Sequence, residues 1–502
     1  MSKQPNFLIF MVDELCGRFF DDGPADFLQV PNLRRLSDEA VNFANTYCPS
    51  PLCTPSRAGF MTGQLTSKIG AYDNAAELCS SVPTFAHYLR RSGYQTALSG
   101  KMHFIGADQL HGFEERLTTD IYPVDFGWTP DWTKPHERID WWYHNFSTVT
   151  GAGVAETTNQ LEYDDDVCHF SKCKIRDLAR GKDERPFCLT VSFTHPHDPF
   201  VTRQQYWDLY PEDKLPGLNV AAISFEDMDP HSKRLMNMSD WTTYDISEQN
   251  VIDSRRAYFA NISYLDEQIG QILETLKNCQ LDDNTIIIFL SDHGDMLGER
   301  GLWFKMSMFE ESIRVPMFVH APGHFSPAKI TTPVSTLDVL PTLLELANVP
   351  VESDIDGHSL VELCSGGKRT EPVFAEYAGE GSIAPMVMVR TANEKFIHCP
   401  VDPPQLFNLA DDPFEQVNLA NSATIKPFMQ IVEQKWDLAT YDADVRKSQR
   451  DRLIVYHALR QGEYVPWDYA PPQNASERYM RNHLDLNVLE ANARFPKGKE
   501  SP

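Results

Sequence analysis

Short apolar runs alternate with longer amphipathic segments through most of the chain, and this alternation predicts the fold class. The runs with the length and composition of buried strands lie at 7–12, 96–98, 187–193, 286–290 and 315–320. Helical patterns cover 32–40, 84–92, 254–277 and 337–347. Strands that alternate with helices are typical of a parallel sheet with helices on both faces. We therefore predict an α/β fold with a large mixed, mostly parallel sheet flanked by helices.

Polar side chains with useful chemistry follow four of these predicted strands, at the point where each strand ends. In open α/β sheets ligands bind at the carboxyl ends of strands, so residues that are far apart in sequence meet there. The residues concerned are Asp13, Lys101, His103, His195, His197, Asp292 and His293.

The pattern changes beyond residue 365, where shorter β-type pieces at 385–390 and 395–399 precede a helical stretch at 426–441. The last sixty residues are rich in Tyr, Trp, Pro, Arg and Asn, a composition too aromatic for a disordered tail, so we expect them to pack. The predicted division is a large catalytic domain at 1–365, a smaller α+β domain at 366–441 and a C-terminal extension at 442–502.

Net charge narrows the class of partner. The 502 residues carry 71 acidic and 45 basic side chains, a formal charge of −26, without a basic run, which argues against a nucleic-acid partner. An acidic field also repels a small anion. An anionic substrate therefore needs local positive groups at the site or a cation of its own, unless the acidity serves only solubility.

The N-terminal apolar run at 7–12 is too short for a secretory signal, and no apolar stretch has membrane-spanning length. The ten cysteines are scattered, which suits reduced thiols, and Cys48 with Cys53 lacks a second pair at zinc-finger spacing. These features predict a cytoplasmic protein without a membrane partner.

Cys53 stands at the start of a predicted helix, in the run Cys-Thr-Pro-Ser-Arg at 53–57. Proline is favoured in the first helical turn, so Cys53 would face the free N–H groups and the positive end of the helix dipole. That position binds anions, and Arg57 adds a positive charge one turn later. A buried cysteine without a chemical role is the alternative interpretation.

The sequence resembles the sulfatase family of the alkaline phosphatase superfamily, whose C-x-P-S-R hallmark, followed by T-G, matches 53–57 and 62–63. The resemblance implies an alkaline-phosphatase-like fold and a sulfuric ester hydrolase. It also implies that a formylglycine-generating enzyme oxidises Cys53, and that the formylglycine hydrate supplies the attacking hydroxyl.

The resemblance further implies a divalent metal, because the S-D-H-G-[DE] pattern of the family is present at 291–295. An N-cap is the alternative role for Asp292. Many members carry a second aspartate where this chain has Glu14, so either one direct ligand is missing or Glu14 binds. Ca²⁺ is favoured, with Mn²⁺ as the alternative. The implied ligands are Asp13, Cys53, Asp292 and His293.

A charged shell is implied by the G-K-x-H element at 100–103 and by two further positions. Lys101 would bind sulfate oxygens, and His103 would act as the base that deprotonates the hydrate. His195 and Lys305 would contact the ester oxygen and assist its departure as general acid and electrostatic partner. His197 is a further candidate for substrate contact.

The runs at 72–77, 126–131, 140–144 and 474–482 resemble bacterial choline sulfatases, a subgroup of the family. Choline O-sulfate carries a quaternary ammonium, which cannot donate a hydrogen bond and must be held by aromatic faces and carboxylates. We expect Asn74, Trp128 and Glu380 to contact it. Its zwitterionic character also removes the repulsion expected from an acidic protein.

The other aromatic residues of the segment around Trp128, namely Trp132, Trp141, Trp142 and Tyr143, are treated as packing residues. The carboxylates Asp125, Asp131 and Asp140 lie in the same segment and are further material for holding the cation.

Two rival functions remain open from the sequence. A phosphonate monoester or phosphodiester hydrolase of the same superfamily shares the nucleophile and the metal ligands. A choline sulfate binding protein with unmodified Cys53 is the other, but it would not need a base, an acid and a metal site. The aromatic extension and the resemblance predict a homo-oligomer, a tetramer, in which the tail contacts a neighbour.

Overall fold

The computed structural model describes residues 4–135, 137, 144–463 and 467. Met1–Ala458 form one compact unit and Leu459–Pro502 a second. Several positions singled out above lie outside the described residues: Asp140, Trp141, Trp142, Tyr143 and nearly all of the extension beyond residue 463.

The described strands form a nine-stranded sheet, a four-stranded sheet and a two-stranded sheet. In chain order they are β1 (Asn6–Asp13), β2 (Val41–Tyr47), β3 (Gln95–Gly100), β4 (Glu115–Arg116), β5 (Gly153–Val154), β6 (Phe187–Pro196), β7 (Val201–Thr202), β8 (Thr285–Ser291), β9 (Arg314–His320), β10 (Ala328–Ile330), β11 (Val334–Ser335), β12 (Val373–Tyr377), β13 (Met386–Arg390), β14 (Glu394–His398) and β15 (Gln405–Asn408).

The large sheet has the order β10-β2-β9-β8-β1-β6-β3-β4, with β11 also paired to β2. Its centre is parallel, since β8, β1, β6 and β3 all run in one direction. Only β9 is antiparallel to its neighbours, β8 and β2. The mixed, mostly parallel sheet predicted from the sequence is confirmed, and the carboxyl ends of four adjacent strands meet at one edge.

Both faces of β1 are buried, which explains why this strand reads as a continuous apolar run. Leu8, Phe10 and Val12 pack into one hydrophobic cluster, while Phe7 and its alternating neighbours pack into another on the opposite face. Strands covered by helices on both sides lack the alternation of half-exposed strands. The apolar run ends at Asp13, which is fully buried.

The helices include the four predicted from the sequence. In chain order they are α1 (Pro31–Asp38), α2 (Cys53–Thr62), α3 (Thr66–Ile69), α4 (Phe85–Arg91), α5 (Ser147–Thr150), α6 (Asn159–Arg180), α7 (Gln204–Trp207), α8 (Pro230–Met238), α9 (Glu248–Asn278), α10 (Glu310–Ile313), α11 (Val339–Leu346), α12 (Val361–Cys364), α13 (Lys426–Lys435) and α14 (Leu438–Leu459). Among the described helices none is long and apolar enough to cross a membrane.

The helical stretch predicted at 426–441 is divided between α13 and α14. Trp436 has an extended backbone, with φ −130° and ψ 141°, and its indole N–H donates to a buried oxygen of Glu376. Asp437 then accepts from the backbone N–H of Thr440 at 3.0 Å. No proline or glycine marks the break; Asp437 caps the start of α14, and Trp436 before it contacts β12.

The smaller antiparallel sheet, with order β12-β13-β14-β15, packs with α13 around a separate apolar cluster. This agrees with the predicted α+β character of the C-terminal region. Both belong to the compact unit Met1–Ala458. The domain limits at 365 and 441 stay predictions.

Gly100 lies where the ends of β3 and β6 are close together, so a substitution there tests whether that close approach is required. A Cβ at this position would lie 1.9 Å from the carbonyl oxygen of Ser192, whereas a Cβ at Gly93 would meet nothing within 4 Å. Both glycines have positive φ, +104° and +96°, so alanine carries the same backbone cost at each. We expect Gly100→Ala to lower the free energy of unfolding by about 2 kcal/mol more than Gly93→Ala. Thermal unfolding of both variants measures this, and equal losses would contradict it.

Candidate active site

Helix α2 begins at Cys53, so this residue lies in the first helical turn at the carboxyl edge of the sheet. Leu52 before it is extended, and the helix ends at Gly63, whose φ of 67° is left-handed. The side-chain oxygen of Asn74 accepts from the backbone N–H of Thr54 at 3.0 Å, which satisfies one free donor of the first turn. The predicted helix start at Cys53 is present in the structure.

The Cys53 sulfur is surrounded by three of the predicted site residues. It lies 3.2 Å from Nε2 of His293, 3.5 Å from Nζ of Lys101 and 3.8 Å from Oδ1 of Asp13. Burial, with the charge of Asp13, raises the pKa of the thiol to about 12 against the effect of Lys101. The thiol is therefore protonated at neutral pH, and a protonated thiol is a weak nucleophile.

Asp13, Cys53, Asp292 and His293 form a fully buried group whose ligand atoms all lie within 4.8 Å of one another. Burial and the charge of Lys305 hold the pKa of His293 well below its usual range, so its imidazole is neutral, the form that binds metals. Two carboxylates and an imidazole suit a divalent cation. The residues present therefore fit the metal that the sequence implies.

Two buried cations compensate these carboxylates. Nε of Arg57 donates to Oδ2 of Asp292 at 2.7 Å, and Nη1 donates to Oγ of Ser192 at 2.9 Å. Lys101 pairs directly with Asp13. Although burial alone would raise it, Lys101 and the neighbouring cations hold the pKa of Asp13 well below its usual range. Burial raises the pKa of Asp292 to about 6 despite Arg57.

The structure places Glu14 beside Lys305. Oε2 of Glu14 lies 3.1 Å from Nζ of Lys305 and 3.2 Å from Nε2 of His197. The other carboxylate oxygen has no hydrogen-bond partner among the described residues. Glu14 is absent from the group around Cys53 but forms a second possible ligand group with Asp13 and His197. The geometry favours a role for Glu14 in holding Lys305.

The two histidines of the His-Pro-His run have different surroundings. Nδ1 of His195 lies 2.6 Å from Oδ2 of Asp164 on α6, and the ring packs edge-on against Tyr264. His197 lines a cavity that Cys53 also lines, and its Nε2 lies 2.6 Å from Nζ of Lys305. His195 is not among the described residues that line this cavity. The geometry therefore brings His197, rather than His195, together with Lys305.

His103 is buried and has a left-handed backbone, with φ 57°. Its backbone N–H donates to Oδ2 of Asp120 at 2.8 Å. Neither ring nitrogen has a hydrogen-bond partner among the described residues. Burial, together with Lys101, lowers the pKa of the imidazole to about 3. His103 is therefore neutral at physiological pH.

A cavity of about 610 Å³ opens at the site. It brings together Cys53 and His103 with all four predicted substrate contacts, Asn74, Trp128, His197 and Glu380. Both carboxylate oxygens of Glu380 lack a hydrogen-bond partner among the described residues, although the residue is 1% exposed. Burial, reinforced by Asp73, raises its pKa to about 7.

Three functional candidates were missed from the sequence. Tyr122 lines the cavity and places its ring 4.4 Å from Nζ of Lys101. Asp164 orients His195, and Asp198 lies between His197 and His144 with 3.2 Å to Nδ1 of each. Asp198 directly follows His197, which was a usable signal. Tyr122 and Asp164 stand in no motif, so only the fold reveals them.

Comparison with protein-family models gives three matches. Residues 5–349 match the sulfatase model, and residues 298–440 match the C-terminal model of N-sulphoglucosamine sulphohydrolase. Residues 443–495 match the model described as choline sulfatase enzyme C terminal, a segment that includes most of α14.

Similar proteins agree with these matches. The chain is 56% identical to a choline-sulfatase of Rhizobium meliloti (strain 1021), over 99% of this chain and 100% of the relative. An arylsulfatase of Clostridium perfringens (strain 13 / Type A) is 28% identical over 84% of this chain and 92% of its own length.

Solved structures share the fold. BT4656, solved with D-glucosamine-2-N,6-O-disulfate, has a TM-score of 0.66 at 23% identity, covering 89% of this chain and 99% of its own. The phosphonate monoester hydrolase of Agrobacterium radiobacter also has a TM-score of 0.66, at 21% identity, covering 90% and 95%.

The metal content of two variants tests whether His293 is a metal ligand and Glu14 is not. We expect His293→Ala to lose the bound metal, because it removes a central donor of the group around Cys53. Glu14→Gln should keep the metal but lose activity, because it removes the carboxylate that faces Lys305. Elemental analysis of the dialysed variants measures both. An equal loss of metal from the two variants would make Glu14 a ligand.

Proposed function

The chain belongs to the sulfatase family, and from that premise we propose that it hydrolyses choline O-sulfate to choline and sulfate. One observation carries the choice of substrate: the buried carboxylate of Glu380, without hydrogen-bond partners among the described residues, lines the same cavity as Cys53. Such a carboxylate suits a cation that cannot donate hydrogen bonds.

The walls of the cavity support the same choice. The rings of Trp128 and Tyr122 are 5.4 Å apart, and the ring of His103 lies 5.6 Å from Trp128. Aromatic faces attract quaternary ammonium groups, and a buried carboxylate adds the opposite charge. We therefore assign Trp128, Glu380 and Asn74 to the cationic end of the substrate.

The sulfate end belongs with the buried cations. Lys101 and Lys305 provide positive charge near residue 53, and Arg57 holds Asp292 in place. The family implies a divalent metal, which would neutralise the negative charge of the ester, and a formylglycine at residue 53, which supplies the attacking hydroxyl. Asp13, Asp292 and His293 with residue 53 would hold the metal.

Proton donation to the ester oxygen is assigned to Lys305, and His197 is assigned the positioning of its ammonium group. Burial holds the pKa of His197 well below its usual range, together with the charge of Lys305. The pKa of Lys305 is raised well above its usual value, mainly by Glu14 acting against burial. Nζ therefore keeps its proton, with His197 as acceptor, until charge develops on the leaving alkoxide. His103, which lines the same cavity as residue 53 and has no ring hydrogen-bond partner among the described residues, is assigned the role of the base.

Several finer features belong to the same proposal. The metal is Ca²⁺, with Mn²⁺ as the alternative, and elemental analysis identifies it. A formylglycine-generating enzyme modifies Cys53, which the mass of the peptide containing residue 53 tests. The cysteines are all free thiols, which supports a cytoplasmic location, and fractionation of the host tests it. The protein is a homotetramer, which sedimentation of the full chain measures.

Replacing Glu380 tests whether its carboxylate binds the cation of the substrate. Glu380→Gln should raise the KM for choline O-sulfate about tenfold, because it removes the charge opposite the ammonium. The KM for 3,3-dimethylbutyl sulfate, the uncharged isostere, should stay unchanged. In the wild type the KM for choline O-sulfate should rise as the pH falls below about 7, where Glu380 becomes protonated and uncharged. The Gln variant should lack this pH dependence.

Equal effects on both sulfates would reject a cation site at Glu380. Faster turnover of a phenylphosphonate ester than of choline O-sulfate by the wild type would favour the phosphonate hydrolase alternative instead.

The general acid can be located by comparing two histidine variants. His197→Ala should slow choline O-sulfate about 100-fold but 4-nitrophenyl sulfate far less, because it removes the group that positions the Lys305 proton and nitrophenolate leaves without a proton. His195→Ala is the matched control, and we expect similar losses on both substrates, since His195 contacts Asp164 and Tyr264. Single-turnover rates measure this. An alkyl-selective loss in the His195 variant would return the general-acid role to His195.

A further inference from the structure

Arg452 of α14 makes a buried two-point contact with a loop next to the cavity. Its Nη1 and Nη2 each lie 2.6 Å from one of the two carboxylate oxygens of Asp73. Asp73 is 0% exposed and Arg452 6%. A buried, bidentate arginine–carboxylate pair has a defined geometry and is costly to break on one side only.

Asp73 connects this contact to the cavity wall. Its Oδ1 also accepts from the backbone N–H of Ala75 at 3.0 Å, which fixes the turn around Asn74. Asn74 lines the cavity and accepts from the N–H of Thr54 at the start of α2. A shift of Asp73 would therefore move a predicted substrate contact.

A second contact of Arg452 reaches the turn that carries Trp128. Nη1 donates to Oγ1 of Thr129 at 3.2 Å, and that hydroxyl donates to the carbonyl of Phe126 at 2.8 Å. These bonds close the short turn Phe126–Trp128. The same guanidinium thus contacts the residue before Asn74 and the residue after Trp128, and both Asn74 and Trp128 line the cavity.

The same helix also reaches the turn of Glu380, through a neighbouring residue. Oε1 of Gln449, one turn before Arg452, accepts from the N–H of Trp132 at 3.1 Å. The indole N–H of Trp132 donates to the carbonyl of Gly379 at 3.2 Å. The three segments assigned to the substrate cation are therefore joined to α14.

We propose that Arg452 is a positioning residue for the substrate cation, which holds the Asn74 and Trp128 segments at their places in the cavity through Asp73 and Thr129. Arg452 itself is not among the described residues that line the cavity. This inference rests on the proposed function, since it concerns the group that distinguishes choline O-sulfate from simpler sulfate esters. It assigns to α14 a role in substrate recognition rather than in the chemical step.

The test compares two substrates in the full-length enzyme. Choline O-sulfate and ethyl sulfate have the same reacting group, but ethyl sulfate lacks the trimethylammonium. In Arg452→Met we expect the KM for choline O-sulfate to rise about tenfold to a hundredfold, with kcat nearly unchanged. The value of kcat/KM for ethyl sulfate should stay within about threefold of the wild type.

Arg450→Met is the matched control. Arg450 lies on the same helix, two residues away, but is exposed and pairs only with Asp451 among the described residues. This variant should match the wild type on both substrates. Arg452→Lys, which keeps the charge but loses the two-point contact, should recover only part of the affinity for choline O-sulfate.

The outcomes separate this inference from the proposed function. A wild type that does not hydrolyse choline O-sulfate refutes the proposed function, whatever the variants do. A wild type that does so, with equal losses on both substrates in Arg452→Met or with no loss on either, overturns the positioning role.

If Arg452→Met does not fold, Thr129→Val tests the role instead. It removes the hydroxyl that Arg452 contacts and leaves the buried ion pair between Arg452 and Asp73 intact. A selective rise in its KM for choline O-sulfate supports the role, and an unchanged KM overturns it.

Discussion

Charge compensation among buried ionisable side chains is the constraint on which the centre of the molecule depends. Asp13, Asp292, Arg57, Lys101 and Lys305 are each at most 1% exposed. An ionised group buried to this degree requires an opposite charge and hydrogen bonds, since desolvation costs several kcal/mol for each ion. The arrangement pairs Lys101 with Asp13 and Arg57 with Asp292, so each side chain is restrained by its partner.

The parallel centre of the large sheet makes this concentration of charge possible. Four adjacent strands with one direction end at the same edge, and site residues lie at or just after the end of each strand. The residues proposed to hold the substrate cation come from elsewhere. Asn74, Trp128 and Glu380 lie on loops that are joined to α14 through Asp73, Thr129, Trp132 and Gly379. In the proposed function the strand ends thus carry the chemistry of the sulfate ester, and the segments joined to α14 carry the selectivity for the cation.

The fold and much of the site could be predicted because their signals are local. An apolar run that ends in a polar residue, or a proline in the first turn of a helix, needs only neighbouring residues to be recognised. The break between α13 and α14 has a weaker local signal, the capping residue Asp437, and the extended Trp436 before it contacts Glu376 on a distant strand. His195 and His197 likewise share one motif, and only Asp164 and Lys305 distinguish their surroundings.

The sequence by itself determined the mostly parallel sheet, the helix that begins at Cys53 and the polar residues at the strand ends, because hydrophobic periodicity and helix signals act over a few residues. Only the tertiary structure decided which of these residues meet. It placed Glu14 beside Lys305, left Glu380 buried without a hydrogen-bond partner among the described residues, and joined Arg452 to Asp73 across 379 positions. Burial and pairing of charge depend on distant segments, and no local pattern records them.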